Sequence, residues 1–395
     1  MSIRKPELRS YTRYDSKITT PGRQSKWLHE HAAYQSQCGT TGEDGYSSHA
    51  QITTIDDRHS AIPEAHRATF EWIWRTPYGH QQWSDFPHWL REKQGICLLT
   101  KVIPDWVTGK AGSGKSTLMK YIYHDSRTHE GLRAWANGSV FVTAGFFFWN
   151  SGSAMQKSLL GLLQSILYEV LQQRPDIKER VFPRAVQEEV SRRWTSRPSN
   201  SDTFWTVPDL QAAFERLLRL PSLKICLFID GLDEYEGDHG QIAELFQRIL
   251  VSSSVKACLS SRPLPTFERS FSLCPSLRLQ NLTYEDISRY VRDKLEGCDE
   301  VLRMRVSDPT EFQQLVEEII AKASGVFLWV TLAVRSLLEG LTNFDRMADL
   351  RFRLKEIPDD LTQLYWHMLR SIKPAFYFNQ AAKLLKIMHA AYRFP

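Results

Sequence analysis

The sequence has no apolar run long enough to cross a bilayer. Its longest, Val326 to Val334 (VFLWVTLAV), stops at Arg335, far short of the ~20 residues a spanning helix needs, and is expected to be a buried helix. No apolar signal-peptide core follows Met1, and Ser2 in place of glycine excludes N-myristoylation. Cysteines are few and scattered. The six (Cys38, Cys97, Cys226, Cys258, Cys274, Cys298) include no Cys-x-x-Cys pair and no neighbouring His at metal-ligand spacing, so they read as reduced thiols of a cytoplasmic protein. The sequons at Asn137 and Asn281 carry no weight on a chain with no sign of secretion. Strong charge of one sign is missing as well: 50 Lys+Arg against 45 Asp+Glu leave +5 over 395 residues, too little for a nucleic-acid coat or a polybasic membrane surface. Neither nucleic acid nor membrane is therefore expected as a partner. No internal repeat of 20 to 50 residues occurs, which excludes a solenoid or propeller.

Aliphatics are nearly absent at the start. Residues 1–50 hold only Met1, Ile3, Leu8, Ile18 and Leu28 from the Ile, Leu, Val, Met and Phe set, too few to bury a core. Within residues 1–26 seven basic residues face two acidic ones, and Pro6 and Pro21 break any amphipathic transit helix, so residues 1–55 are expected to be a disordered polar tail. The rest is rich in core material, with 42% hydrophobic residues, twenty Phe, fourteen Tyr and twelve Trp, and the length suits two or three domains at about 150 residues each. A helical lead-in over 56–95 is anchored by Ala65, Phe70, Trp72, Ile73 and Trp74. Continuous apolar runs at Phe146 to Trp149, Ile225 to Ile229 and Ala257 to Leu259 are expected to be strands covered on both faces. Leu210, Ala213, Phe214, Leu217 and Leu218, and again Ile242, Leu245, Phe246, Ile249 and Leu250, fall at helical spacing between them. The fold class is thus α/β, a parallel sheet flanked by helices over 96–280, followed by an all-helical domain over 281–395. In the latter, Thr283 with Asp286 suggests a capping box, Phe312 to Ile320 a second helix closed near Gly325, and Leu361, Leu364, Tyr365, Met368, Leu369 and Ile372 a later one.

Gly109-Lys110-Ala111-Gly112-Ser113-Gly114-Lys115-Ser116 fits G-x-x-x-x-G-K-[ST] in full. The glycines let successive backbone N–H groups curl around a β-phosphate, and the helix that follows, carrying Leu118, Met119 and Ile122 inward, turns its positive end to the anion, with Thr117 also expected among the nucleotide-binding residues. Lys115 is expected to reach the β- and γ-phosphates and Ser116 to ligate Mg²⁺. A second motif, Leu227-Phe228-Ile229-Asp230-Gly231-Leu232-Asp233-Glu234, is an apolar strand that delivers carboxylates at its C-terminal end. Asp230 is the expected second metal ligand, while Asp233 or Glu234 would orient or deprotonate the attacking water. A third, Cys258 to Pro263, ends an apolar run on Arg262, a candidate γ-phosphate sensor.

Asp230 with Gly231 beside it and Asp233 three positions on resembles the Walker B motif of NACHT-type STAND NTPases. The flanks narrow the likeness. Ala65-His66 with Thr69 to Ile73, Phe146 to Gly152, Gly161-Leu162-Leu163, Ser324 to Trp329 and Ile357 to Leu361 with Tyr365 resemble the NACHT proteins with a nephrocystin-like P-loop domain, of NOD-like receptor type, that are expanded in filamentous fungi. The likeness runs from about residue 55 to the C-terminus. It implies a nucleotide-switched signalling module acting in self/non-self recognition and programmed cell death, and an incomplete winged-helix region at the end of the helical domain. Three departures accompany it. Relatives run from Gly-Ile directly into an aromatic and the P-loop strand, whereas here Cys97 to Asp105 intervenes between Ile96 and Trp106, and this segment is expected to be dispensable or an artefact of the gene model. Many STAND proteins place a Gly-x-Pro against the base, where this chain reads Gly325-Val326-Phe327. No recognisable effector precedes residue 55 and no repeats follow residue 380, so the expectation is a switch core lacking its own sensor, either a truncated relative or a subunit that borrows input and output from protein partners or from a second copy through its helical C-terminal region.

Together these readings favour a Mg·ATP-binding NTPase with slow hydrolysis. GTP stays open, since no Asn-Lys-x-Asp guanine reader occurs but no base contact is assigned. A non-hydrolysing adaptor with bound nucleotide is the rival, and a small-molecule kinase a weaker third, because nothing resembles an acceptor lid.

Overall fold

The computed structural model describes residues 58–76, 85–91, 105–184, 186–188, 190, 205–272, 276–297, 301, 306, 309–343, 345–371 and 378–393. The chain divides into two units, Met1–Ser47 and Ser48–Pro395. The first, with the polar tail expected there, lies outside the described residues, as do residues 92–104, which hold all but the last residue of the Cys97 to Asp105 segment.

Five parallel strands form one sheet in the order β2-β3-β4-β1-β5: β1 (Asp105–Thr108), β2 (Val140–Phe147), β3 (Leu223–Asp230), β4 (Val255–Ser261) and β5 (Ser276–Arg278). Asp105, the end of the intervening segment, is itself the first residue of β1 and pairs with Cys258. Of the run at Phe146 to Trp149 only Phe146 and Phe147 belong to β2, which begins six residues earlier, and β5 lacks any apolar run that would mark it in the sequence.

The strands are apolar throughout because both faces are covered. On one face Ala144, Phe146, Leu227, Ile229, Ala257 and Leu259 pack against α3 (Leu159–Gln173), α4 (Val207–Leu218) and α5 (His239–Ile249). On the other, Val107, Cys226, Phe228, Cys258 and Leu277 meet α1 (Lys115–His124), α2 (Ser126–Ala136) and the lead-in residues Ile62, Phe70, Ile73 and Leu90. Helix starts obey local chemistry. Ser158 accepts from Gly161 N–H at the start of α3, and Thr206 and Asp209 form a reciprocal capping box at the start of α4.

Beyond β5, α6 (Tyr284–Glu296), α7 (Pro309–Ala323), α8 (Phe327–Thr342) and α9 (Met347–Glu356) enclose a third core around Val291, Val316, Ile319, Trp329, Val330 and Leu337. Two further helices, α10 (Leu361–Ser371) and α11 (Phe378–Arg393), follow. One expectation needs correction here. Thr283 makes no capping bond to α6, and Asp286 is buried with its Oδ2 accepting from Phe70 N–H at 3.1 Å and Trp72 Nε1–H at 2.8 Å. A buried carboxylate needs donors, and the lead-in supplies stronger ones than the helix start. The later helix expected from Leu361 onward is α10, and among its described residues only Leu364 is buried, while Tyr365 and Met368 are exposed.

The lead-in is tied down at several points. Lys120 Nζ donates to Ile62 O at 2.9 Å and pairs with Glu64, and Arg127 joins Glu71, Asp125 and Tyr121 while lying over the Trp74 ring. Hydrogen bonds to Asp125 and Glu71 raise the Arg127 guanidinium far above its ordinary range.

Candidate functional site

Because all strands run the same way, their C-terminal ends share one rim. Thr108 lies opposite Ser261, Leu259 opposite Ile229, and Phe147 opposite Asp230, so the chain leaves the sheet at Gly109, Arg262, Gly231 and Phe148 along a single edge. This is where open α/β sheets bind ligands.

Gly109 to Gly114 form the loop between β1 and α1. Gly112 and Gly114 have φ of +69° and +95°, a region costly for any residue with a Cβ, and Gly114 hands its carbonyl to Leu118 N–H at 2.9 Å to start α1. Lys110 and Ala111 are exposed at the tip, and Ser113 is buried with its hydroxyl lacking a hydrogen-bond partner. Thr117 is half-buried in the first turn of α1. Lys115 Nζ bends back over the loop and donates to Gly109 O at 2.7 Å and Lys110 O at 3.0 Å, which holds the ammonium at the mouth of the cradle. Burial lowers the Lys115 pKa, and the negative charges of Asp233 and Asp230 work against that.

Asp230, the last residue of β3, is 1% exposed. It accepts hydrogen bonds from Ser116 and from Ser260 Oγ, and Ser260 in turn accepts from Gly231 N–H at 3.1 Å. Burial raises the Asp230 carboxyl, with the two serine hydroxyls and the charges of Arg58 and Lys115 opposing. The two residues expected to hold the metal, Ser116 and Asp230, are thus in direct contact. Among the described residues no cluster of three or more His, Cys, Asp or Glu could hold a metal by itself. A site of one carboxylate and one hydroxyl fits Mg²⁺, which keeps waters and takes its remaining ligands from substrate phosphates.

The three other expected residues separate into different environments. Asp233 uses both carboxylate oxygens on Arg262, Oδ1 accepting from its N–H at 2.8 Å and Oδ2 facing its Nε at 3.1 Å. Arg262 is therefore ion-paired and half exposed. Glu234 has one oxygen, Oε2, on Asn150 N–H at 2.8 Å. Its pKa is raised by burial, with the like charges of Asp233 and Asp230 adding and the Asn150 bond and Arg58 opposing.

Sequence reasoning missed four participants. Ser260 is a polar residue at the end of an apolar strand, a signal that was available. Asn150 acts through its backbone, which no side-chain motif announces. Gln280, after β5, has a buried Oε1 without a partner that faces Gly109. Arg58, in a helical turn at 58–61, places its guanidinium 5.6 Å from the Trp149 ring centre and acts on Asp230 and Glu234 from a polar stretch with no motif.

The helical region reaches the cradle as well. Leu328 N–H donates to Gly112 O at 2.9 Å, and the side chains of Leu328 and Leu361 line the space beside Gly112. Gly325, at φ +78°, has no room for a Cβ, which would lie 2.2 Å from Gln280 O.

Residues 69–262 match the family described as nephrocystin 3, N-terminal, a stretch that spans the P-loop, the Asp230 strand and Arg262. No curated protein matches. Among solved structures, one titled "Structure of Drosophila ORC bound to DNA" aligns at 10% identity over 81% of this chain and 76% of that one, with a TM-score of 0.35. The chain carries a nucleotide-binding domain of the P-loop NTPase type.

Proposed function

We propose that this P-loop NTPase-type chain is a Mg·ATP-dependent signalling switch of the NACHT/STAND class, in which slow hydrolysis resets a conformational state used in self/non-self recognition or regulated cell death. One observation carries the reading: the phosphate cradle, the Ser116–Asp230 pair and Glu234 meet at one rim, and the helical region is hydrogen-bonded to the cradle itself through Leu328 and Gly112. A change at the phosphates is thereby transmitted to the helices. ATP is favoured over GTP by the lack of an Asn-Lys-x-Asp guanine reader. The scattered cysteines, read as reduced thiols, favour a cytoplasmic location, and the proposed protein partners, a second copy among them, dock on the exposed helical C-terminus.

The residues divide the work. The loop N–H groups and the Lys115 ammonium bind the phosphates. Ser116 Oγ and the Asp230 carboxylate would hold Mg²⁺, which when bound neutralises phosphate charge as a Lewis acid. Glu234, oriented by Asn150 N–H, accepts the proton of the attacking water on its carboxylate, and the burial that raises its pKa makes it a stronger base than an exposed glutamate. Asp233 keeps Arg262 in place at the same edge. The helical region meets the loop at Gly112, where Leu328 and Leu361 pack beside it.

Isothermal titration of the full chain with ATP, ADP and GTP tests this. Lys115→Ala should weaken binding at least tenfold, about 1.4 kcal/mol or more, without loss of fold. A folded variant that binds ATP as the parent does would remove the phosphate-cradle assignment, and a parent that binds ATP without ever turning it over would favour the adaptor.

A further inference from the structure

The rim carries a cation that the motifs do not contain. Arg58 Nε is buried and has no hydrogen-bond partner among the described residues. Its position is set by packing. The helical turn at 58–61 lies on the end of β2, with the ring of His59 4.9 Å from that of Phe147, the residue opposite Asp230 in the sheet. Two residues on, Trp149 lies under the Arg58 guanidinium, and the next N–H, from Asn150, binds Glu234. Arg58 thus stands over the edge where the two acidic groups emerge. Burial raises the carboxyls of Asp230 and Glu234, and the charge of Arg58 works against it at both, yet neither forms an ion pair with Arg58.

Two other cations at the rim are engaged. Arg262 is bound through both its N–H and its Nε to Asp233, and Lys115 is folded onto the loop carbonyls. A desolvated guanidinium donor without an acceptor is poised for an anionic oxygen, and its planar fork matches phosphate better than a carboxylate already claimed by other donors.

Resting on the nucleotide-binding reading above, we infer that Arg58 contacts the terminal phosphate of a bound nucleoside triphosphate and is the residue that distinguishes triphosphate from diphosphate. Arg262, the arginine suggested by the sequence, is instead a partner of Asp233. The lead-in that carries Arg58 is fastened to α1 by Lys120 and to α6 by Asp286, so loss of the terminal phosphate would be registered in the lead-in and reach the helical region by a route separate from Leu328.

Binding of Mg·ATP and of Mg·ADP to the full chain is measured for the parent, Arg58→Ala, Arg58→Gln, Arg58→Lys and Lys115→Ala. The expected result is an ATP affinity at least tenfold weaker in Arg58→Ala and Arg58→Gln with ADP affinity within twofold of the parent, and partial recovery of ATP binding in Arg58→Lys. Lys115→Ala should lose both ligands. A parent that binds neither nucleotide overturns the underlying reading and this one with it. A parent that prefers ATP, with Arg58→Gln keeping that preference, overturns the role of Arg58 alone. Equal losses for ATP and ADP in the Arg58 variants make it a structural cation for Asp230 and Glu234 and also overturn it. ADP binding doubles as the test of folding, and Arg58→Gln preserves size and polarity should the alanine variant fail to fold.

Discussion

Asp233 and Glu234 follow one another in a single turn of 3-10 helix, yet they are not equivalent acids. Asp233 is a saturated acceptor for Arg262, whereas Glu234 has one oxygen on a backbone N–H and a carboxyl raised by burial. Glu234→Gln should therefore lower ATP turnover by roughly 10²–10⁴-fold, the usual contribution of a general base, and leave ATP affinity within twofold. Asp233→Asn should cost less turnover, because it releases Arg262 from an ion pair without removing the base. A steady-state phosphate-release assay separates the two, and equal, undiminished rates in both variants would dismiss this turn as the source of the base. From the sequence these two acids were interchangeable candidates. The register that carries Arg262 to Asp233 distinguishes them, and it belongs to the strand that ends just before Arg262, 29 residues after Asp233.

At the scale of elements, the lead-in is held by α6 as much as by the sheet. Phe70 adopts a left-handed backbone, φ +66°, unusual for a residue with a large side chain, and its N–H points at Asp286. The same carboxylate receives the Trp72 indole, and Arg289 sits beside it while donating to Ala68 O. Asp286→Ala would leave two buried donors without an acceptor, each worth about 1–3 kcal/mol. Urea unfolding of that variant should show a loss of about 2–4 kcal/mol, and a loss under about 0.5 kcal/mol would mean that the bolt between lead-in and helical region contributes nothing. The spacing of Thr283 and Asp286 suits a capping box, but the acceptor serves residues 214 and 216 positions away. Local pattern cannot see such a partner.

Across the whole molecule, α11 is exposed along most of its described length. Leu384, Leu385, Ile387 and Met388 on α11 are 49–66% exposed, and Trp366 on α10 is 59% exposed. Contiguous apolar surface of this kind marks an interaction face. Purified protein should self-associate at micromolar concentration in sedimentation experiments, and Leu384→Asp with Ile387→Asp should shift it to monomer while sparing nucleotide binding. A parent that is strictly monomeric with ADP and with ATP contradicts this. Among the described residues no helix is long and apolar enough to cross a membrane, and α8, which contains the longest apolar run, is instead the centre of the helical core.

What the sequence by itself determined is everything whose geometry closes within a few residues. Gly112 and Gly114 dictate a cradle because only glycine takes those backbone angles freely, and Lys115 and Ser116 follow at fixed positions on the first turn of a helix. The apolar runs at Ile225 to Ile229 and Ala257 to Leu259 read as two-sided strands because nothing polar interrupts them. What the tertiary structure alone decided is everything that needs two distant segments side by side. Placing β4 between β1 and β3 brings Ser260 to Asp230 and Arg262 to Asp233. Folding the lead-in across the end of β2 sets Arg58 over a rim whose Asp230 is 172 positions later in the chain. Such contacts depend on strand order, register and burial, which are set by the summed packing of the whole core, and no spacing within a single segment encodes them.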